Sequence, residues 1–351
     1  MIREELQKKI RTVEPYVPGE QPKEKVIKLN TNENPYPPSP AVRKTLAALD
    51  ADDFRLYPDP AAGELVEAIA EIYHVGTDQV FPGVGSDDVL SLCFLTFFNS
   101  DRPVLFPDIT YSFYKVWAQL YRIPYECPAL DEGFRIVKED YYRENGGIIF
   151  PNPNAPTGIY EDLDFLEDIL SHNRDSIVII DEAYVDFAGR SAVELLGRYD
   201  NLIVTQTFSK SRSMAGMRIG YAISSPELIR CLNNVKYSFN SYTMSRAALA
   251  CGAAGVRDRG YFEDHVRKII RTRKRTEEEL RGMGFITTSS SANFLFVRHP
   301  QHEGRELFEK LRSEKICVRH WDDDRICQYL RITVGTDEEM DLLIGTLRRY
   351  V

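Results

Sequence analysis

Four short apolar runs constrain this chain more than any other feature. They are Val104-Leu105-Phe106, Ile148-Ile149-Phe150, Ile177-Val178-Ile179-Ile180 and Leu202-Ile203-Val204. Each ends in polar or turn residues. A strand that is apolar at every position is covered on both faces. Helical patterns lie between several of the runs, as at Leu163, Leu166, Ile169 and Leu170. Strands of this kind separated by helices predict an α/β fold with a mostly parallel central sheet. Polar groups placed just after the strand ends are then expected to line one crevice.

The flanks read differently. At 351 residues the chain exceeds one small module and suggests two domains. The first forty residues hold Pro15, Pro18, Pro22, Pro35, Pro37, Pro38 and Pro40 with little periodicity. Residues 1–40 therefore read as an extended arm. Residues 41–240 carry the apolar runs and form the expected large domain. Beyond them the pattern predicts a long helix over Tyr261–Met283, a strand at Asn293–Val297 and a helix at Glu306–Lys315. A strand at Leu330–Val334 and a last helix from Asp337 follow. This alternation suits a small α+β domain over 241–351, to which part of the arm is assigned. The basic run in HVRKIIRTRKR is followed at once by Glu277-Glu278-Glu279 and has no interleaved aromatics. It reads as a solvated helix face rather than a nucleic-acid site.

Charge and composition narrow the classes further. The net charge of −9 gives no global attraction for nucleic acid or anionic membrane. A local basic pocket for a small anion remains compatible with it. No stretch approaches the ~18 apolar residues of a membrane span. The opening MIREELQKKIRTVEPYV is charged throughout and does not read as a secretory signal. Cys93, Cys127, Cys231, Cys251, Cys317 and Cys327 show no CxxC spacing. They read as reduced thiols of a cytoplasmic protein. There is no HExxH, and His299 and His302 flank a proline in a turn-like stretch, so no metal site is expected.

The chemistry concentrates in TFSKSRSMAGMRIGYAI, residues 207–223. Lys210 stands in a Thr/Ser-rich turn after an apolar strand, among Thr207, Ser209 and Arg218, groups suited to a phosphate. Ala215, Gly216 and Gly220 allow close approach. A partly desolvated lysine near an arginine is disposed to form a Schiff base. Asp181 ends another apolar strand 29 residues earlier, and Tyr184 follows it by three. A carboxylate, a phenol and a Schiff-base lysine are the parts that a pyridoxal phosphate site needs. Taken singly, Asp181 could equally cap a helix. The turn Gly83-Val84-Gly85-Ser86-Asp87-Asp88 precedes a helix, where backbone N–H groups can hold a phosphate. Asn152-Pro153-Asn154-Ala155-Pro156-Thr157-Gly158 and Pro107-Asp108-Ile109-Thr110-Tyr111 follow two further strands. Tyr111 could stack on a flat ring or lie in the core.

These motifs, with LNTNENPYPPSP, RLYPDP and LRITVGT, occur in an order that resembles the fold-type I pyridoxal phosphate aminotransferases nearly end to end. Within that superfamily the chain most resembles the histidinol-phosphate aminotransferases. The resemblance implies that Lys210 carries the cofactor as a Schiff base. It implies that Asp181 pairs the pyridine nitrogen, Tyr184 bonds the 3′-oxygen and Tyr111 stacks on the ring. Thr207, Ser209, Arg218 and the backbone at Gly85, Ser86 and Asp87 would hold the phosphate. Tyr57 would reach the phosphate in the partner of a homodimer with shared sites. Arg331 would bind the substrate's anionic end, and Arg319 and Tyr16 match positions associated with the substrate's phosphate. Such enzymes usually place asparagine directly before Pro-Thr-Gly, where this chain has Ala155. Either Asn154, one residue earlier, takes that role or Tyr184 acts without it, and the role is assigned to Asn154.

The implied reaction exchanges the amino group of histidinol phosphate with 2-oxoglutarate, a step of histidine biosynthesis. An aromatic amino acid aminotransferase, and a phosphothreonine decarboxylase type, share the same motifs and stay open. A non-enzymatic cofactor-sensing regulator would need an N-terminal DNA-binding module, for which residues 1–40 are too short and too proline-rich.

Overall fold

A computed structural model describes residues 2–351. The central sheet has seven strands. Their order is Val80–Gly83, Gly220–Ser224, Leu202–Thr207, Val178–Asp181, Ile148–Pro151, Val104–Leu105 and Tyr125–Glu126. Gly220–Ser224 runs antiparallel to both of its neighbours, and the other adjacent pairs are parallel. Every residue of Ile148–Pro151, Val178–Asp181 and Leu202–Thr207 is buried. The apolar runs that open them follow from this, because each face carries its own core. Ile149, Ile179 and Ile203 pack with Leu90, Phe94, Trp117 and Leu232 on one side. Ile148, Ile180 and Val204 pack with Leu166, Ile169 and Leu170 on the other.

The helices start where their sequences provide caps. Asp162 accepts from Phe165 N, and Ser225 accepts from Leu228 N ahead of Pro226. Thr336 and Glu339 form a reciprocal capping box. The long helix spans Arg259–Gly282. Much of its basic run is solvated and ion-paired, as with Arg267 to Asp264 and Arg275 to Asp337. Arg273 departs from the expected solvated face. It is buried and donates to the carbonyls of Phe187 and Ala292.

A second sheet is antiparallel, in the order Arg319–His320, Leu330–Thr333, Phe294–Arg298 and Ile286–Thr287. Leu295, Val297, Leu330 and Ile332 share a core with Leu280, Leu307, Leu343 and Leu347. The arm joins this unit. Ile27–Lys28 pairs in parallel with Ile316–Cys317, and Leu29 is buried in the same core. No helix among the described residues is long and apolar enough to cross a membrane.

The central strands deliver their polar ends to one edge, where two glycines permit a tight approach. A Cβ on Gly220 would stand 2.3 Å from Ser86 N and 2.4 Å from Gly85 C. These are backbone atoms that no rotamer change can move. Gly220→Ala is therefore expected to destabilise the cofactor-free chain by about 1–3 kcal/mol, as overpacking does. Urea denaturation of the purified variant measures this. An unchanged midpoint would mean that the loop yields without cost.

Candidate active site

Asp181, Tyr184 and Lys210 meet at the carboxyl ends of the two central strands Val178–Asp181 and Leu202–Thr207. Asp181 is 4% exposed. Its Oδ2 accepts from Tyr114 Oη at 2.8 Å, and its Oδ1 accepts from Ala183 N at 3.3 Å. Burial pushes its pKa up to about 6, against the pull of those two hydrogen bonds and of Lys210. Lys210 Nζ donates to Thr31 O at 3.0 Å and lies 5.8 Å from the centre of the Tyr184 ring. Tyr184 packs edge-on against Phe294, and its Oη accepts from Asn32 Nδ2 at 3.0 Å.

One end of the site is built for an anion. Ser86 and Asp87 open the helix Ser86–Phe97, so its unpaired N–H groups and positive dipole end face the site. Gly85 before it has φ +86°, and a Cβ there would strike the Arg218 guanidinium at 2.4 Å. Thr207 Oγ1 donates to Ser209 Oγ at 3.0 Å. Arg218 reaches Ser209 Oγ at 3.5 Å and Asp87 Oδ2 at 3.4 Å. Tyr111 Oη donates to Asp87 Oδ1 at 2.7 Å. Burial, then the Asp87 carboxylate, raise the Tyr111 pKa well above the ordinary value for a phenol.

The inner cavity, about 190 Å³, is lined by Ser86, Asp87, Tyr111, Asp181, Tyr184, Ser209, Lys210 and Arg218, among others. It adjoins a cavity of about 590 Å³ that Tyr16, Arg319, Trp321 and Arg331 also line. Alternation along Leu330–Thr333 buries Leu330 and Ile332 in the core and turns Arg331 to this cavity. Arg331 Nη2 donates to Asn30 O at 2.9 Å, while its buried Nε has no partner among the described residues. Its guanidinium lies over Phe294 and Trp321, at 5.3 and 5.4 Å from the ring centres. Burial lowers its pKa from the usual arginine value. Arg319 lies 5.5 Å from the same Trp321 ring. Tyr16 stacks on Phe113 at 4.2 Å.

Three expected site residues do not line these cavities. Gly85 stands one residue before Ser86, in the turn that opens the helix. Asn154 is a correction. Its Nδ2 donates to Ile109 O at 3.0 Å and to Thr157 Oγ1 at 3.1 Å, and its Oδ1 accepts from Thr110 Oγ1 at 2.9 Å. The amide is spent on holding the neighbouring loops. Ala155, not Asn154, lines both cavities. Tyr57 lines neither; it is 78% exposed and stacks on Tyr242 at 4.5 Å. Three participants escaped the sequence reading. Tyr114 follows Tyr111 by one helical turn and pointed to nothing by itself. Asn32 lies in the LNTNENP motif but had no assigned partner. Trp321 is isolated in a polar stretch. Among the described residues, no group of three or more His, Cys, Asp or Glu side chains is placed to hold a metal ion.

The residues present fit pyridoxal phosphate. A glycine-opened cradle of hydroxyls, Arg218 and a helix N-terminus stands at one end, and a buried carboxylate and an amine stand beyond it. Such a fold and site are those of a pyridoxal phosphate-dependent enzyme. The profile of the family described as aminotransferase class I and II matches residues 24–347, and the chain belongs to that family. It is 52% identical to the histidinol-phosphate aminotransferase of Chromohalobacter salexigens over 338 residues, 96% of each chain. It is 51% identical to that of Pseudomonas putida over 339 residues, 96% of this chain and 97% of the other. Among solved structures, the histidinol-phosphate aminotransferase of Sinorhizobium meliloti in complex with pyridoxal-5′-phosphate has a TM-score of 0.84 at 23% identity. That match covers 93% of this chain and 92% of the other. The Clostridium acetobutylicum enzyme of the same name has a TM-score of 0.85 at 23% identity, covering 93% and 99%. At such identities these two structures speak to the fold alone.

Proposed function

We propose that this chain transfers the amino group of histidinol phosphate to 2-oxoglutarate, giving imidazole acetol phosphate and glutamate, in L-histidine biosynthesis. The identity of about half of all positions to enzymes of that name supports the reading. One observation in the site carries it. Arg331 and Arg319 flank the outer cavity beside Lys210, so an anionic substrate meets two guanidiniums next to the amine.

Pyridoxal phosphate, when bound, supplies an aldehyde and a ring that accepts electrons. Lys210 would hold the cofactor through its amine, and the same amine would serve as the base that moves a proton at the substrate's Cα. Asp181 keeps a proton on the ring nitrogen. Tyr184 bonds the ring oxygen and Tyr111 stacks on the ring. Thr207, Ser209, Arg218 and the backbone at Gly85, Ser86 and Asp87 bind the phosphate. Arg331 binds the anionic end of either substrate by its planar fork, and Arg319 and Tyr16 favour a phosphate over a carboxylate. The enzyme works as a cytoplasmic homodimer, Tyr57 reaching the partner's site. Its exposure, beside exposed Phe54, Leu56 and Tyr242, supports such an interface. The arm spans 1–40, the large domain 41–240 and the small domain 241–351, completed by arm residues Ile27–Leu29.

A coupled assay comparing histidinol phosphate with phenylalanine and tyrosine as donors, with 2-oxoglutarate as acceptor, tests the reading. Histidinol phosphate should give the highest kcat/KM. Arg331→Lys should raise KM for histidinol phosphate and glutamate about 10- to 100-fold, the worth of one charge-assisted bond, and leave the cofactor spectrum unchanged. Preference for an aromatic donor would move the assignment to aromatic aminotransfer. Release of CO2 from phosphothreonine, with no need for 2-oxoglutarate, would move it to decarboxylation.

A further inference from the structure

Asn32 belongs to the arm, yet it ends up at the centre of the site. It is 1% exposed and has φ +58°, a left-handed conformation that asparagine tolerates better than most residues. Three bonds hold it there. Its backbone N–H donates to Thr333 Oγ1 at 3.0 Å, and the Thr333 hydroxyl donates to Asn32 Oδ1 at 3.1 Å. Its carbonyl accepts from Asn293 Nδ2 at 3.0 Å. With Oδ1 engaged by Thr333, the amide presents its N–H to Tyr184 Oη, at 3.0 Å. Among the described residues that is the one partner of the Tyr184 hydroxyl.

The polarity of this contact matters. A phenol that accepts from Asn32 keeps its own proton free to donate elsewhere. The inner cavity is where that proton can go, because Tyr184 lines it. Ala155, which also lines it, offers no hydrogen-bonding side chain, and the Asn154 amide is spent elsewhere. Lys210, Arg331, Tyr16 and Tyr114 are the titratable groups that act on Tyr184. None of them bonds its hydroxyl, so Asn32 controls this contact alone.

We propose that Asn32 is a positioning residue that fixes Tyr184 as a hydrogen-bond donor to the phenolic oxygen of pyridoxal phosphate. The proposal rests on the cofactor reading given above. Asn32→Asp keeps an oxygen for Thr333 and replaces the N–H facing Tyr184 by an acceptor. In the holoenzyme, the pH midpoint at which the visible cofactor band changes should rise by about one unit. The affinity of the cofactor-free chain for pyridoxal phosphate should fall about 10-fold. Asn32→Ser, whose hydroxyl is too short to reach Tyr184, should shift the midpoint in the same direction without adding a buried charge. In a Tyr184→Phe background neither substitution should move the midpoint further. A midpoint equal to that of the wild type in Asn32→Ser would overturn the proposal. An equal shift with and without the Tyr184 hydroxyl would do the same, since Asn32 would then act through the arm alone. If the wild type takes up no visible band on addition of pyridoxal phosphate, the cofactor reading itself falls, and the proposal with it.

Discussion

Lys210→Ala is expected to abolish transamination, with turnover falling about 10⁴-fold or more. Two functions are lost together. The amine that holds the cofactor covalently is gone, and so is the base that moves the Cα proton; positioned proton transfer alone is worth up to about 10⁴-fold. The geometry leaves no understudy. Lys210 lines both cavities and is the lysine among the inner-cavity residues. Lys115 lines the outer cavity without reaching the inner one. The purified wild type should show a visible cofactor band that borohydride fixes onto Lys210. The variant should show none, while keeping its fold, because Nζ makes a single hydrogen bond, to Thr31 O. Peptide mapping after reduction decides the matter, and cofactor fixed on another lysine would refute the assignment.

Asp181→Asn is expected to cut turnover about 10²- to 10³-fold, the usual effect of removing a preorganised charge from an active site. Its effect on stability should have the opposite sign when no cofactor is bound. Burial raises the carboxyl pKa from 3.8 to about 6. The folded chain therefore binds this proton more tightly than the unfolded chain does. The resulting stabilisation is fully present below pH 3.8 and is lost as pH rises through about 6. Above that, the buried charge costs roughly 3 kcal/mol. Asparagine carries no charge and can still accept from Tyr114. Thermal denaturation of the cofactor-free variant at pH 8 should show a midpoint above that of the wild type, and the gap should close by pH 4. With cofactor bound the order should reverse, because the wild-type carboxylate then has a cationic partner. Near-normal turnover in the variant would remove Asp181 from its role.

The central sheet was legible because its strands open on short apolar runs bounded by polar and turn residues, with helical patterns between them. Ile148–Pro151, Val178–Asp181 and Leu202–Thr207 lie within a few residues of their expected places. The positions of Lys210 and Asp181 followed from the same pattern, since each sits at a strand end, whereas Arg331 came from the resemblance, because alternation alone suits a surface arginine. What the sequence hid was direction. Asn154 and Ala155 are adjacent, and nothing in their order says which turns inward. The backbone gives the cavity to Ala155 and leaves the Asn154 amide to Ile109, Thr110 and Thr157. Asn32 was hidden by distance, because its partners Tyr184 and Thr333 are 152 and 301 residues away. No periodicity reports a contact of that span.

That span also dictates an order of assembly. Residues 30–32 touch Arg331, Lys210 and Tyr184 in turn, and Asn32 is fastened to Thr333. The entropic cost of closing so long a loop grows only slowly with its length, but no part of it can close before the far end exists. On the ribosome, the apolar strands through Gly220–Ser224 are complete while arm residues 27–32 still lack the small sheet that fastens them. The small sheet that receives it is finished only with Thr333. The reactive lysine thus stays outside a finished pocket until Arg331 and Thr333 have been made, close to the end of the chain.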